Sequence, residues 1–559
     1  MNSRNALLGF LLLAPVLCAA GAQEAVRESC RDTQLRKARA AIEEIEKSVG
    51  DATQEEALPV LAEIALLWVQ AGDVDRGLTL YSTLVEGLKL ADEAQVAEVW
   101  YSIMAELADA GYLEEAAQFA RRIPSPLAQA ASLVCVAQEL SERGQREQAL
   151  GILEQATQAA LRIRDAEMRE EMLQDTAEAY AEAGEFSRAL NTVPLLESTE
   201  KRAYTLAAIA KEQARAGQLE EALQTATKIP DPSRRVFALS DIGEVQAEAG
   251  QQEEARKTLQ TSADTLAMIT QQAHRDSGAR HLAYIQSKNG DFAAALETAA
   301  TIQREDDRWS ATGEVAKEQV LAGDTKGALA TVERIEAERW QKDALVDVAA
   351  AQARRGDAEG AVQTANRIKD GLFRAVALIR IAEAQAWQGN ATGAVKTIRL
   401  LQDRRSRDRE LSRVANSEAE EGDIEGARIL IAAIEDETQK DFPLRGIVKT
   451  QAEAGDIASA TETLKGIHDS FSRGYALAAI AEAQARAGDV NGALVTIGSI
   501  EEETAKAVAV ETVVRVWAEA GGGDAAVVWA QKQPPGVRFA ATVAAVKGML
   551  AKAKSQCGQ

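Results

Sequence analysis

The sequence predicts an all-α protein, an α-solenoid of about 14 helix pairs with a capping helix region at each end. Three observations carry this. A glycine recurs along the chain at Gly72, Gly111, Gly144, Gly184, Gly217, Gly250 and Gly290, and from Gly290 every step to Gly521 is 33 residues. Self-similarity at a period of this length is the mark of a repeat architecture. The runs on either side of each glycine have a helical period. In 473–500, Leu477, Ile480, Ala481 and Gln484 fall at i, i+3, i+4 and i+7, one face of a helix. Finally, alanine stands five positions after the glycine in every unit but the first, where Gly77 takes its place. Two helices approach closely only where side chains are short.

Composition narrows the function. The 559 residues carry 86 acidic and 63 basic side chains, a net charge of −23, with 46% apolar residues but only 4% aromatic ones. A nucleic-acid binder normally shows a basic footprint, so none is expected as partner. Three histidines leave little material for metal or proton-transfer chemistry.

Residues 1–22 read as an export signal: Arg4, an apolar run from Ala6 to Ala20, and a small-x-small site at Ala20-Gly21-Ala22. The run is short for a membrane span of about 20 residues. The alternative is an uncleaved anchor. No later segment is apolar enough to span a bilayer, and the export signal together with the cysteine usage makes a periplasmic or secreted location the expectation. After residue 22 the cysteines are Cys30, Cys135 and Cys557. An odd number forbids full pairing within one chain. Cys135, in the run Leu133-Val134-Cys135-Val136, suits a core position. Cys30 and Cys557 have two options: pairing across molecules, or within one if the ends meet.

Residues 23–57 form an N-terminal capping helix region, 58–533 the repeats, and 534–559, after Pro534-Pro535, a last capping helix and tail. Within a repeat, the anchor glycine ends the first helix, since glycine tolerates the left-handed conformation found there. Asp489 exemplifies the N-cap of a second helix. Its buried stripe is Ala493, Ile497 and Ile500. No proline lies between Pro232 and Pro443, so no interdomain linker is expected there. One unit cannot bury its own faces, and stacking must supply the core.

The anchor glycine, the alanine five later, the small residue seven earlier and the large apolar residue eleven earlier, Trp100 in one unit, resemble the tetratricopeptide repeat. The period of 33, glutamine in place of an aromatic residue four before the anchor, and the missing terminal proline mark it as divergent. The resemblance implies antiparallel helix pairs, a right-handed superhelix with a concave groove, and binding of a protein or peptide in it.

Two polar ladders accompany the repeat. Glutamine stands four before the anchor at Gln213, Gln246, Gln286, Gln319, Gln352, Gln385, Gln451 and Gln484, with Glu418 the exception. A basic residue stands fifteen before it in ten of eleven units, from Arg169 to Lys506. They share a face with core residues, so an intramolecular lock is favoured over a ligand-gripping stripe. In that reading Gln bonds a neighbouring unit's backbone, and the base pairs with acids such as Asp231 and Asp403 four residues earlier.

A partner is expected on the opposite face of the first helices. The candidates are Tyr204, Phe237, Phe442 and Tyr475 at one position, Lys317, Glu383, Asn416, Lys449 and Glu482 at a second, and Arg215, Arg354, Trp387 and Arg486 at a third. These types vary from unit to unit, which fits a heterogeneous partner. An ordinary solvated face is the alternative.

No phosphate-binding loop, nucleophile elbow, H-E-x-x-H or C-x-x-C motif occurs. No catalytic, cofactor-binding or metal-ligating residue is therefore expected, and no enzyme activity. The expected function is an exported protein-interaction scaffold. The alternative is a self-associating structural subunit of the cell envelope, and a glycan or lipid carrier follows behind.

Overall fold

The computed structural model describes residues 32–47, 54–87, 93–109 and 111–555. The expected export signal, Cys30 and Cys557 lie outside these residues. Among the described residues every regular element is helical and no strand occurs. The protein is an all-α solenoid. A helix over residues 32–47 (α1) precedes fourteen pairs that follow one another in sequence, from Gln54–Gln70 (α2) and Val74–Gly87 (α3) to Glu503–Trp517 (α28) and Gly523–Gln531 (α29). Pro535–Ser555 (α30) comes last. Every anchor glycine, Gly72 through Gly521, has a positive φ, between 74° and 114°. This is the left-handed turn that the repeat requires of that position.

Packing divides the chain into two compact units. One comprises residues up to 91, 110–119 and 437 onward, the other 92–109 and 120–436. In both, the helix contacts are made by the predicted small residues. Ala149, Ala222, Ala328, Ala361, Ala460 and Ala493 are all fully buried. Gly77 has no room for more: a Cβ there would come 2.5 Å from Val69 Cγ2 and 2.8 Å from the carbonyl oxygen of Ala65.

Helix starts follow local chemistry. Where Asp or Asn follows the anchor it caps the second helix, with its side chain accepting from a backbone N–H three residues on: Asp357 from Gly360 at 2.9 Å, Asn390 from Gly393 at 2.9 Å and Asp489 from Gly492 at 2.9 Å. Asp231, Asp370, Asp403 and Asp469 cap the first helices in the same way. Each cap satisfies an N–H that the helix itself leaves free.

Both polar ladders are internal locks, with partners other than those expected. Every ladder glutamine but Gln246, whose Oε1 is unsatisfied, bonds within its own unit: the Thr364 hydroxyl donates to Gln352 Oε1 at 2.6 Å, Thr331 to Gln319 at 2.7 Å, Thr397 to Gln385 at 2.7 Å and Thr496 to Gln484 at 2.7 Å. The arginines do not pair with the capping acids. Five of them donate to the carbonyl oxygen six residues back, among them Arg169 to Ile163 at 3.1 Å, Arg235 to Ile229 at 2.6 Å and Arg407 to Leu401 at 2.9 Å. The acids are already engaged at helix starts, and the carbonyls where the preceding second helix ends need donors.

A third ladder is acidic. Buried Glu170, Asp276, Asp408 and Asp441 each accept from two successive backbone N–H groups 27 and 28 residues on, such as Glu435 and Asp436 on Asp408 at 3.0 and 3.1 Å. Each carboxylate thereby fastens the following loop, and charge-assisted bonds of this kind are among the stronger ones.

Candidate functional site

The candidate partner-binding residues fall into three environments. The charges at the position six before the anchor pair either with the neighbouring first helix or within their own. Lys288 binds Glu244, and Arg413 binds Glu383. Lys317 pairs with Glu314 on its own helix. Lys211 and His281 both hold Asp241, at 3.3 and 2.9 Å. Burial would raise the Asp241 carboxyl, but the His281 and Lys211 contacts outweigh it and hold the group below its ordinary value. Glu482 accepts from Arg486 at 2.7 Å and Lys449 faces Glu453 at 3.9 Å, both within one helix. These side chains stitch or decorate the helix layer.

Asn416 needs correction. The sequence places it on the open partner face, but it is buried, with no hydrogen-bond partner for Oδ1. Lys and Glu at the equivalent positions are long enough to reach solvent from between helices, and the short Asn side chain is not.

The position two before the anchor is solvent-facing. Arg215, Arg354 and Arg486 are exposed, and Trp387 is 59% exposed. Among the described residues Arg215 pairs only with Glu212 of its own helix, at 2.7 Å.

The position thirteen before the anchor carries the aromatics, which form two clusters in different units. In the unit containing 120–436, Arg234 of α12 (Pro232–Glu248) stacks 3.7 Å over the Tyr204 ring and also contacts its hydroxyl. Phe237 stacks 4.8 Å from the His281 ring. Both aromatic rings are half-buried. In the other unit, α24 (Asp441–Glu453) and α26 (Ser470–Arg486) bring Phe442, Phe471 and Tyr475 together. Phe471 and Tyr475 lie 4.8 Å apart, and the Arg445 guanidinium stands 5.0, 5.8 and 5.8 Å from the Phe442, Phe471 and Tyr475 rings. Phe442 is 41% and Phe471 52% exposed. Among the described residues no carboxylate pairs with Arg445. The cluster is an exposed apolar surface with a cation at its centre.

Sequence reasoning named Phe442 and Tyr475 among the partner-face candidates, without joining them in a cluster, and missed Phe471 and Arg445. The signal was present. Phe471 stands four before Tyr475 and Arg445 three after Phe442, which are same-face spacings on a helix.

A second exposed apolar area lies between α20 (Gly371–Trp387) and α22 (Arg404–Glu420), where Leu372, Val376 and Leu400 line a groove of about 400 Å³ with Arg409 at its rim. Among the described residues no group of three or more His, Cys, Asp or Glu is placed to hold a metal, and no helix is long and apolar enough to cross a membrane.

No known protein family and no curated protein matches the chain. Solved structures do. Ton1535 from Thermococcus onnurineus NA1 is 16% identical, covering 74% of this chain and 98% of its own, with a TM-score of 0.22. A circular tandem repeat protein with a novel repeat topology is 16% identical over 94% of this chain and 100% of its own, at 0.13. The Naa15/Naa10 complex bound to HypK-THB is 15% identical over 78% of this chain and 74% of its own, at 0.24. At these scores the function of this chain rests on its own residues.

Proposed function

We propose that this protein is a helical-repeat scaffold that binds a protein or peptide partner through exposed side chains of its first helices. The carrying observation is the Phe442, Phe471 and Tyr475 cluster around the unpaired Arg445. The repeat machinery explains the buried glutamines, arginines and acids, and it leaves this cluster without a structural task. Large aromatic and arginine side chains supply most of the energy at protein interfaces. Trp387, exposed and alone, is a second anchor. The signal-like residues 1–22 support export, which makes the partner a protein of the cell envelope or of the exterior.

Self-association through the ends, one of the alternatives open from sequence, gains no support. The helices that it would use pack on one another within one unit, as Lys37 on Asp524 at 2.5 Å and Lys547 on Glu63 at 2.7 Å illustrate.

The test is capture of the tagged chain after cross-linking in its native host, with mass spectrometry of what is held. One abundant partner, reduced at least tenfold when Phe442, Phe471 and Tyr475 become Ala, is the expected result. Capture unchanged by those substitutions, or self-cross-links alone, would overturn the reading.

A further inference from the structure

We propose that the groove between α20 and α22 docks an aspartate or glutamate side chain of a partner protein, flanked by apolar residues and held by the backbone N–H groups of Gln402 and Asp403. The inference rests on the scaffold reading in one respect, that the occupant is a protein. The groove lies in the unit containing residues 120–436, and the argument for it makes no use of the Phe442 cluster.

The repeat itself shows how such a site works. Fourteen residues before the anchor, Glu170, Asp276, Asp408 and Asp441 each place a buried carboxylate on two successive N–H groups 27 and 28 residues on. In α20 that position is Ala375. The two N–H groups that a carboxylate there would bind belong to Gln402 and Asp403, and among the described residues they have no acceptor. Successive backbone N–H groups of this kind make an anion-binding concavity.

Alanine at this position does not suffice by itself. Ala203 and Ala507 are its equivalents, but the residues 27 further on are Pro230 and Pro534, which have no N–H. At the Gly474 step the space is filled, since a Cβ there would come 3.1 Å from Ala505 Cβ and from Glu502 Cβ. At the Lys342 step a cation occupies the place and reaches Asp370 at 3.7 Å. Ala375, Gln402 and Asp403 instead border the open groove of about 400 Å³, whose apolar wall includes Leu372, Val376 and Leu400.

The charge around the donors is complementary to a carboxylate. Arg374 lines the groove. It belongs to the basic ladder, yet among the described residues its guanidinium binds neither the carbonyl oxygen of Ile368, six residues back, nor any carboxylate. Gln341, one unit earlier, does bond the corresponding carbonyl oxygen, of Ile335, at 3.3 Å. Arg409 at the rim contacts Glu410, which it shares with Arg413. The Asp403 side chain, which caps α22 through the Ser406 N–H, does not forbid a second carboxylate: Asp469 caps α26 in the same way while its own N–H binds Asp441 at 2.9 Å.

The open wall selects a protein over a free fatty acid. Leu372 is 72% and Leu400 52% exposed, so an acyl chain laid there stays largely in water. A side-chain carboxylate repeats the bond that the four sister loops already make, and a neighbouring apolar side chain covers the wall.

The probes are capped peptides, acetylated and amidated so that one side chain carries the only charge. Each presents Asp or Glu between leucine, isoleucine, valine or phenylalanine residues, and each has a twin with Asn or Gln. Saturation-transfer NMR with the full chain and millimolar peptide reads binding without any native partner, so its outcome is separate from that of the capture experiment. An acidic peptide is expected to bind at least tenfold tighter than its amide twin, and Arg374→Gln to weaken it. Ala375→Asp supplies the missing carboxylate from within. It should abolish binding and shift the melting temperature upward. No binding by any acidic peptide, equal binding by the twins, binding undiminished in Ala375→Asp, or binding by dodecanoate alone would overturn the proposal. A lower melting temperature in Ala375→Asp would show that this loop does not match its sisters and would overturn it equally.

Discussion

Thr364→Val is expected to destabilise the protein by about 1–3 kcal/mol, because it removes the only hydroxyl donor to a buried amide oxygen. Gln352 and Thr364 are each 3% exposed, and the bond between them is 2.6 Å long. Valine fills the same volume, so the change isolates the hydrogen bond from packing, and Gln352 Oε1 is left with neither partner nor water. Gln352→Leu costs less at this bond, since a helical threonine can return its hydroxyl to a carbonyl four residues back. With both changes in place no polar atom of the pair is stranded. The double variant should then be more stable than the sum of the singles predicts, by about 0.5–3 kcal/mol. Urea unfolding followed by circular dichroism at 222 nm measures all four proteins. Strict additivity would show that the two side chains do not interact, and would refute the view that the glutamine ladder is an internal lock.

Two further predictions follow from the repeat. Ala361 is fully buried, so Ala361→Trp should cost about 1–3 kcal/mol through overpacking. A neutral result in the same urea assay would mean that this position is not a close helix contact. Glu418 takes the place of glutamine in a unit where Leu430 stands where threonine would be. Burial first, then Asp423 and Glu421, push its carboxyl from the ordinary 4.5 up to about 7. The native state therefore holds a proton that the unfolded chain releases, and the cost of this group is absent below pH 4.5 and grows as pH rises to about 7. Glu418→Gln should raise the melting temperature relative to the parent more at pH 8 than at pH 4.5. An equal difference at both pH values would contradict the assignment.

The repeat, its helix boundaries and its small-residue contacts were legible because each depends on local chemistry recurring at a fixed period. Gly488 ends a helix and Asp489 starts the next wherever they stand in the chain. What was not legible depends on the angle at which neighbouring helices meet. The glutamine ladder was visible, and so was a threonine twelve residues later in most units, but periodicity alone does not say that the two side chains face each other. Asn416 shows the converse. Its helical position matches Lys449 and Glu482, and only the depth of the helix contact separates a buried amide from side chains that reach solvent. The acidic ladder of Glu170, Asp276, Asp408 and Asp441 passed unnoticed because its partners are backbone N–H groups, which leave no trace in composition. In the aromatic cluster, two rings of three were identified from register. Arg445 joined them only once α24 and α26 were placed side by side.

Site-specific photo-cross-linking tests the central claim most directly. A benzophenone amino acid is placed at Phe471, in the aromatic cluster, and in a second protein at Val495, an equally apolar site that is 76% exposed on a second helix. Both are irradiated in the native host. The account predicts that one protein is captured through position 471 and not through position 495. Identical products at both positions, or capture only through 495, would show that the first-helix cluster around Arg445 is not where the partner binds.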